Sequence, residues 1–257
     1  MVPESADLLT FWEHVYRYAF ASRFVKGKRV LDIACGEGYG AAALQLAGAI
    51  NVTGVDISEE VCMHARDKYG IDVRQGAAHK IPLADDSVDI VVSFETIEHV
   101  PLPEHFLDEC VRVLGQGGKL IISTPNKNIY GQRVQNPYHC SEMTEEEFTA
   151  ALRSRFRDCR FYTQRPTSAV WCSLRTLASD GTSWMSVPGF CRLHRFLQNS
   201  LVPEATNPPT REQRESVLDL IASVGRSPRR LFNPFVMRPR RNWNPENPMY
   251  FVAIASR

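Results

Sequence analysis

Arg29-Val30-Leu31-Asp32-Ile33-Ala34-Cys35-Gly36-Glu37-Gly38-Tyr39-Gly40-Ala41 is the stretch on which the fold turns. An apolar run closed by an acid, followed by three glycines at alternate positions and then an alanine-rich segment, reads as a buried strand turning tightly into a helix. Upstream, Leu8 to Phe24 carries apolar and aromatic residues near helical spacing, with His14 and Arg17 interleaved, and Gly27 ends the pattern. This predicts a leading helix. Downstream, the periodicity predicts a helix over 40–48, a strand over 51–56, a helix over 59–69, strands over 71–75 and 88–93, a helix over 103–114 and a strand over 118–124. Alternation of this kind implies a parallel sheet covered by helices on both faces.

Thr144 followed by Glu147 is a capping box that opens a helix over 145–154, ahead of a strand over 157–163. The segment 165–246 differs, holding most of the prolines and three of the four tryptophans, with helix-like patches near 189–199 and 211–224. It reads as an insertion. The apolar run over 249–255 then reads as a last strand returning to the sheet. The domain organisation expected is one domain over 1–164 plus 247–257, interrupted by the insertion.

With 257 residues and 44% hydrophobic side chains the chain has ample material for a core, and its net charge of +1 gives no global field for a polyanion. A nucleic-acid partner is disfavoured unless a local patch provides the contact. The seven cysteines are odd in number and contain no Cys-x-x-Cys pair, so reduced thiols in a cytoplasmic protein are expected. Acids near the start and the lack of an apolar stretch of about 20 residues argue against a signal peptide and a membrane span.

Two cofactors compete for the glycine loop. Gly36-x-Gly38-x-x-Ala41 satisfies a dinucleotide fingerprint, and Asp56 lies 20 residues beyond Gly36, where an acid would hold ribose hydroxyls. Asp32 and Glu37 would then face a pyrophosphate, and like charges about 4 Å apart repel by roughly 4 kcal/mol at an effective dielectric of 20. S-adenosylmethionine carries an ammonium and a sulfonium and no phosphate, so the same acids become attractive.

Four ordered motifs now resemble the class I S-adenosylmethionine-dependent methyltransferases: the loop from Val30 to Gly40, Gly54-Val55-Asp56-Ile57-Ser58, the stretch from Ile81 to Val92, and Val113-Leu114-Gly115-Gln116-Gly117-Gly118-Lys119-Leu120-Ile121-Ile122. The resemblance covers about residues 10–164 plus the last strand. It implies an α/β, Rossmann-like seven-stranded sheet whose last strand is antiparallel. It implies that Asp32, Ala34, Gly36, Gly38 and Tyr39 lie near the methionine part of the donor, that Asp56 holds the ribose diol, and that Phe94 and Glu95 at the end of strand four complete the donor contacts. Ile57 packs either on the adenine or in the core. Gly76-Ala77-Ala78 stands where many members have an acid, so backbone groups of Ala77 and Ala78 would read the base.

Beyond strand four, Glu95-Thr96-Ile97-Glu98-His99 would put Glu95, Glu98 and His99 on one face if the chain turned helical at Glu95. His139 is a fourth candidate. The Glu-x-x-Glu-His arrangement with a later histidine resembles the metal site of small-RNA terminal 2′-O-methyltransferases, and similar residues occur in ubiquinone O-methyltransferases. It implies a divalent ion, Mg²⁺ or Mn²⁺, held by Glu95, Glu98, His99 and His139; the other reading of the residues is that Glu98 and His99 organise the loop by hydrogen bonds, with His99 a satisfied buried histidine. Chemically the set suits a hydroxyl acceptor, with His139 or His99 as base.

The acceptor is expected to be read by the insertion, where Arg226, Arg229, Arg230, Arg238, Arg240 and Arg241 form either a phosphate-holding cluster or a solvated basic face. Glu13-His14, Arg17-Tyr18-Ala19-Phe20-Ala21, Thr124-Pro125-Asn126-Lys127 and the segment around His139 resemble bacterial methyltransferases of glycan biosynthesis. A sugar, glycan or small-metabolite hydroxyl is therefore the expected acceptor. The competing readings are methylation of RNA 2′-hydroxyls and a non-catalytic donor-binding scaffold.

Overall fold

The computed structural model describes residues 8–130, 137–166, 235–239 and 250–257. The helix-like patches near 189–199 and 211–224, and most of the arginine cluster, lie outside the described residues. Strands β1 (Arg29–Ile33), β2 (Asn51–Asp56), β3 (Asp72–Gln75), β4 (Val88–Phe94), β5 (Leu114–Pro125), β6 (Asp158–Pro166), β7 (Phe235–Pro239) and β8 (Tyr250–Ser256) form one sheet in the order β3-β2-β1-β4-β5-β8-β6-β7. Strands β1 to β5 pair in parallel, while β8 runs antiparallel to both β5 and β6. The expected seven strands and the reversed last strand are present. An eighth strand is added at the edge, where residues 235–239, expected inside the insertion, pair antiparallel with β6.

Each strand feeds both faces because successive side chains alternate. In β4, Ile90, Val92 and Phe94 join a core with α1 (Leu8–Ala21), α2 (Tyr39–Leu46) and α3 (Glu59–Tyr69). Val88 and Val91 face the opposite core, built with α4 (Pro103–Val113) and α6 (Glu145–Arg153); the short helix α5 (Lys127–Tyr130) follows β5. Local signals set the helix ends. Ser58 accepts from the Val61 N–H, Gly70 closes α3 in the left-handed region, and the capping box of Thr144 and Glu147 is fully formed.

Strand order reverses between β1 and β4, so the two neighbouring strands send their connections to opposite faces and open a crevice at their carboxyl ends. Gly38 caps α2 in the left-handed region at φ 83°. Gly40 is demanded by close approach: a Cβ there would stand 2.0 Å from the Tyr18 ring. That ring cannot yield freely, because its hydroxyl is tethered to Asp32. We expect Gly40→Ala to destabilise the chain by about 1–3 kcal/mol through overpacking, read as a lower midpoint in urea denaturation, and Gly40→Ala combined with Tyr18→Leu to recover part of that loss.

Candidate active site

Asp32 lies at the end of β1 with no exposed surface. The Tyr18 hydroxyl donates to its carboxylate at 3.1 and 3.2 Å. Burial pushes the Asp32 carboxyl up to about 8, the Tyr18 hydrogen bond opposes the rise, and the Asp56 charge adds to it. The next turn is left-handed at Ala34 (φ 58°), which points an exposed methyl away from the strand. Asp56 closes β2 and accepts the Gly36 N–H at 2.9 Å and the Ser58 N–H at 3.1 Å, one on each oxygen. Each oxygen keeps acceptor capacity for a diol. Ile57 beside it is 72% exposed, so the core alternative for this side chain does not hold. Ala77 and Ala78 are half-buried and follow Gly76, whose N–H donates to the Asp56 carbonyl.

Two donor-site expectations change. Glu37 is buried and paired with Lys68 at 3.2 Å, so its charge is spent inside the loop and the acidity of the crevice rests on Asp32 and Asp56. Phe94 is buried, packed edge-on to Tyr18 at 5.0 Å, and Tyr39 meets the same Tyr18 ring edge-on at 5.6 Å. His14 and Tyr18 are buried on the inner face of α1, Tyr138 is exposed, and the Tyr130 side chain lies outside the described residues.

The expected helical face from Glu95 to His99 does not form. Glu95 is itself left-handed at φ 53°, and a 3₁₀ turn covers only Ile97–His99. The sheet then separates the two acids, because Ser123 and Thr124 are consecutive on β5 and point to opposite faces. The Ser123 hydroxyl donates to Glu95 at 2.8 Å, on the α1 side, where the buried Arg17 lies 4.0 Å from the same carboxylate. The Thr124 hydroxyl donates to Glu98 at 3.2 Å on the other side. Glu95 therefore stands apart from the ligand cluster predicted for it.

Glu98, His99 and His139 do converge, with one ligand atom from each lying within 4.8 Å of the others. The loop carrying His139 is latched to the 3₁₀ turn, since the Cys140 and Ser141 N–H groups both donate to the Glu98 carbonyl and the Ser141 hydroxyl donates to the Val100 carbonyl. The histidine rings meet edge-on at 4.7 Å. His99 Nδ1 lies 2.9 Å from the Tyr138 carbonyl, which can only accept, so the neutral ring holds its proton on Nδ1 and its lone pair on Nε2. His139 Nδ1 lies 2.7 Å from the Glu142 carboxylate, which fixes the same tautomer. Glu142 is a site residue that the motif did not single out; its signal is the i, i+3 spacing from His139. Glu98 is buried, and burial with the Glu95 charge raises its carboxyl well above the usual range. Its Oε1 has no hydrogen-bond partner.

Folding raises the Asp32 pKa, so the folded chain keeps a proton that the unfolded chain loses above the ordinary carboxylate range. The stability this contributes is full below that range and is lost as pH rises to about 8. We therefore expect the unfolding free energy of wild type to fall relative to Asp32→Asn between about pH 4 and pH 8, and the difference to be level above that. Urea denaturation across pH checks this; a constant difference would show that the carboxyl is not perturbed.

Residues 31–122 match a methyltransferase domain family. A protein named as a probable S-adenosylmethionine-dependent methyltransferase, from Mycolicibacterium smegmatis, is 37% identical over 148 residues, which is 56% of this chain and 57% of that protein. A ubiquinone biosynthesis O-methyltransferase from Coxiella burnetii is 38% identical over 109 residues, covering 40% of this chain and 46% of that protein. The chain thus spans about half the length of the curated relatives it matches. The crystal structure of an S-adenosylmethionine-dependent methyltransferase from Thermotoga maritima superposes with a TM-score of 0.57 at 19% identity, over 96% of this chain and 94% of that one. Taken with the sheet order, the chain has the fold of the class I S-adenosylmethionine-dependent methyltransferases, and residues 31–122 match a methyltransferase domain family.

Proposed function

We propose that this chain transfers a methyl group from S-adenosylmethionine to a hydroxyl of a sugar, a glycan or another small metabolite. The observation that carries the hydroxyl assignment is the convergence of Glu98, His99 and His139 beyond the carboxyl end of β4. The donor supplies an electrophilic methyl on a sulfonium. Asp56 offers a carboxylate to a ribose diol, Asp32 becomes a carboxylate once a cation faces it, and Ile57 offers an exposed apolar surface for the base.

An alcohol is a poor nucleophile until its proton has somewhere to go. His139 and His99 each present an Nε2 lone pair, oriented by Glu142 and by the Tyr138 carbonyl, and either accepts that proton as the C–O bond forms by in-line displacement. The orphaned Oε1 of buried Glu98 and the two imidazoles make a donor set that fits a divalent ion such as Mn²⁺ or Mg²⁺. Glu98, His99 and His139 would hold it, and its chemistry would be to lower the proton affinity of the acceptor hydroxyl. The ubiquinone O-methyltransferase relative supports an oxygen acceptor. Segment 165–246 is assigned to acceptor choice, with its arginines suited to a phosphate on a carrier. Among the described residues no helix is long and apolar enough to cross a membrane.

Incubation of glycan and metabolite pools with methyl-labelled donor, followed by mass spectrometry, is expected to place the label on a hydroxyl oxygen; label on nitrogen or carbon would contradict the reading. His139→Ala and His99→Ala are each expected to lower kcat by about 10²–10⁴-fold, the usual reach of a positioned base, and full turnover in the double variant would remove both as bases. Mn²⁺ titration followed by electron paramagnetic resonance is expected to show a bound ion that Glu98→Gln loses. No bound ion, with activity indifferent to chelator, would remove the metal.

A further inference from the structure

Segment 76–87 joins β3 to β4 and begins with Gly76, Ala77 and Ala78. Its start is tied to the rim around Asp56: the Gly76 N–H donates to the Asp56 carbonyl at 2.9 Å, and Gln75 just before it donates to the Ile57 carbonyl at 3.2 Å. Ala77 and Ala78 have no polar side-chain atom, so only their backbone can hydrogen-bond a base. Among the described residues no hydrogen bond uses the Ala78 N–H or carbonyl. A backbone N–H and carbonyl supply one donor and one acceptor, the complement of adenine's N1 acceptor and 6-amino donor. Backbone groups discriminate only while they are held in place. Within the segment the Lys80 N–H donates to the Ala77 carbonyl at 2.9 Å and the Leu83 N–H to the Ile81 carbonyl at 2.8 Å, and neither bond opens a helix or a named strand.

The segment takes its shape from α4. Arg112, in the last turn of that helix, uses all five of its N–H donors. Two go to Glu109, from Nε at 2.7 Å and from Nη2 at 2.8 Å. The others reach the Ile81 carbonyl at 2.9 Å, the Leu83 carbonyl at 2.8 Å and the Asp85 carboxylate at 2.7 Å. Glu109 in turn accepts the Ile81 N–H at 2.8 Å, so both backbone groups of Ile81 are held from one helix turn. Pro82 lies between these anchors and against the start of the segment, where a Cβ on Gly76 would stand 2.5 Å from its Cδ. Ala78 and Leu83 pack on the same buried cluster. A partly exposed ion pair adds little to stability, whereas this one fastens three backbone groups of a single loop.

We propose that Arg112 and Glu109 are positioning residues for the donor's base: by pinning residues 81–85 to α4 they hold the Ala77 and Ala78 backbone in the register that accepts adenine. The inference rests on the donor reading given above. It assigns base selectivity to side chains that act on the ligand only through the loop backbone.

The test is calorimetry with S-adenosylhomocysteine and with S-inosylhomocysteine, which differ only in the base. In the inosyl ligand a carbonyl replaces the 6-amino group and N1 carries a proton, so donor and acceptor are exchanged. Wild type is expected to prefer the adenine ligand roughly 10- to 100-fold, the scale of a mispaired hydrogen bond. Arg112→Gln is expected to bind S-adenosylhomocysteine more weakly and to lose about 10-fold of that preference. Arg112→Lys, with three donors in place of five, is expected to fall between. Asp108→Asn, which releases Arg155 from the same helix, is expected to keep the wild-type preference. Urea denaturation reports whether each variant is folded, and if Arg112→Gln is not, Arg112→Lys decides by the same comparison. A folded Arg112 variant with the full wild-type preference overturns the proposal. So does loss of preference in Asp108→Asn, since any loosening of α4 would then suffice. Wild type binding both ligands equally also overturns it and leaves the donor reading standing, whereas wild type binding neither removes the donor reading and the proposal together.

Discussion

Asp32 is fully buried at the end of the central strand, with the Tyr18 hydroxyl donating to it, and a carboxyl in such a place is stable only when neutral or when faced by a cation. Much of the architecture follows from keeping it there. The Tyr18 ring that holds it fills the space a Cβ on Gly40 would need. The left-handed turn at Ala34 leads the chain away from the strand and into the loop whose Gly36 N–H fixes Asp56. The reversal of strand order between β1 and β4 leaves the crevice next to this acid open at the top of the sheet.

Three ionisable groups, Arg17, Asp32 and Glu98, are buried within the same end of the sheet; Arg17 and Glu98 each leave buried polar atoms without a hydrogen-bond partner, and Asp32 is held near neutrality by burial. Structural ion pairs in this chain look different. Arg112, for instance, is held by Glu109 and Asp85 and by two backbone carbonyls, and Lys68 is matched to Glu37. Under-satisfied buried charge is unfavourable for folding, and it is tolerated where a ligand completes the set. Among the described residues, three non-glycine residues have positive φ, and two of them, Ala34 and Glu95, sit at the ends of β1 and β4 and flank the crevice.

The sheet was legible in the sequence because its signals are local: apolar runs with period two, glycines at a strand-to-helix turn, a capping box at Thr144. The positions of Asp32 and Asp56 at strand ends were legible for the same reason, since each closes a recognisable apolar run. What escaped was long-range. The Glu95 and Glu98 side chains part because Ser123 and Thr124 alternate across β5, a pairing some 28 residues away that a helical wheel over 95–99 cannot reveal. Strand β7 hides in the four residues between Pro234 and Pro239, closed by Pro239 itself. Arg17 reads in the sequence only as a residue interleaved in the helical pattern, and its burial depends on Gln164, 147 residues distant. A charged residue on the buried face of an otherwise apolar helix was the available signal.

The charge of the crevice decides between a cationic methyl donor and a diphosphate cofactor, and one competition titration addresses it directly. In calorimetry at neutral pH, S-adenosylmethionine is expected to bind the chain and NAD, added in excess, is expected neither to bind nor to weaken that binding. Heat of binding from NAD alone, with none from S-adenosylmethionine, would contradict the account.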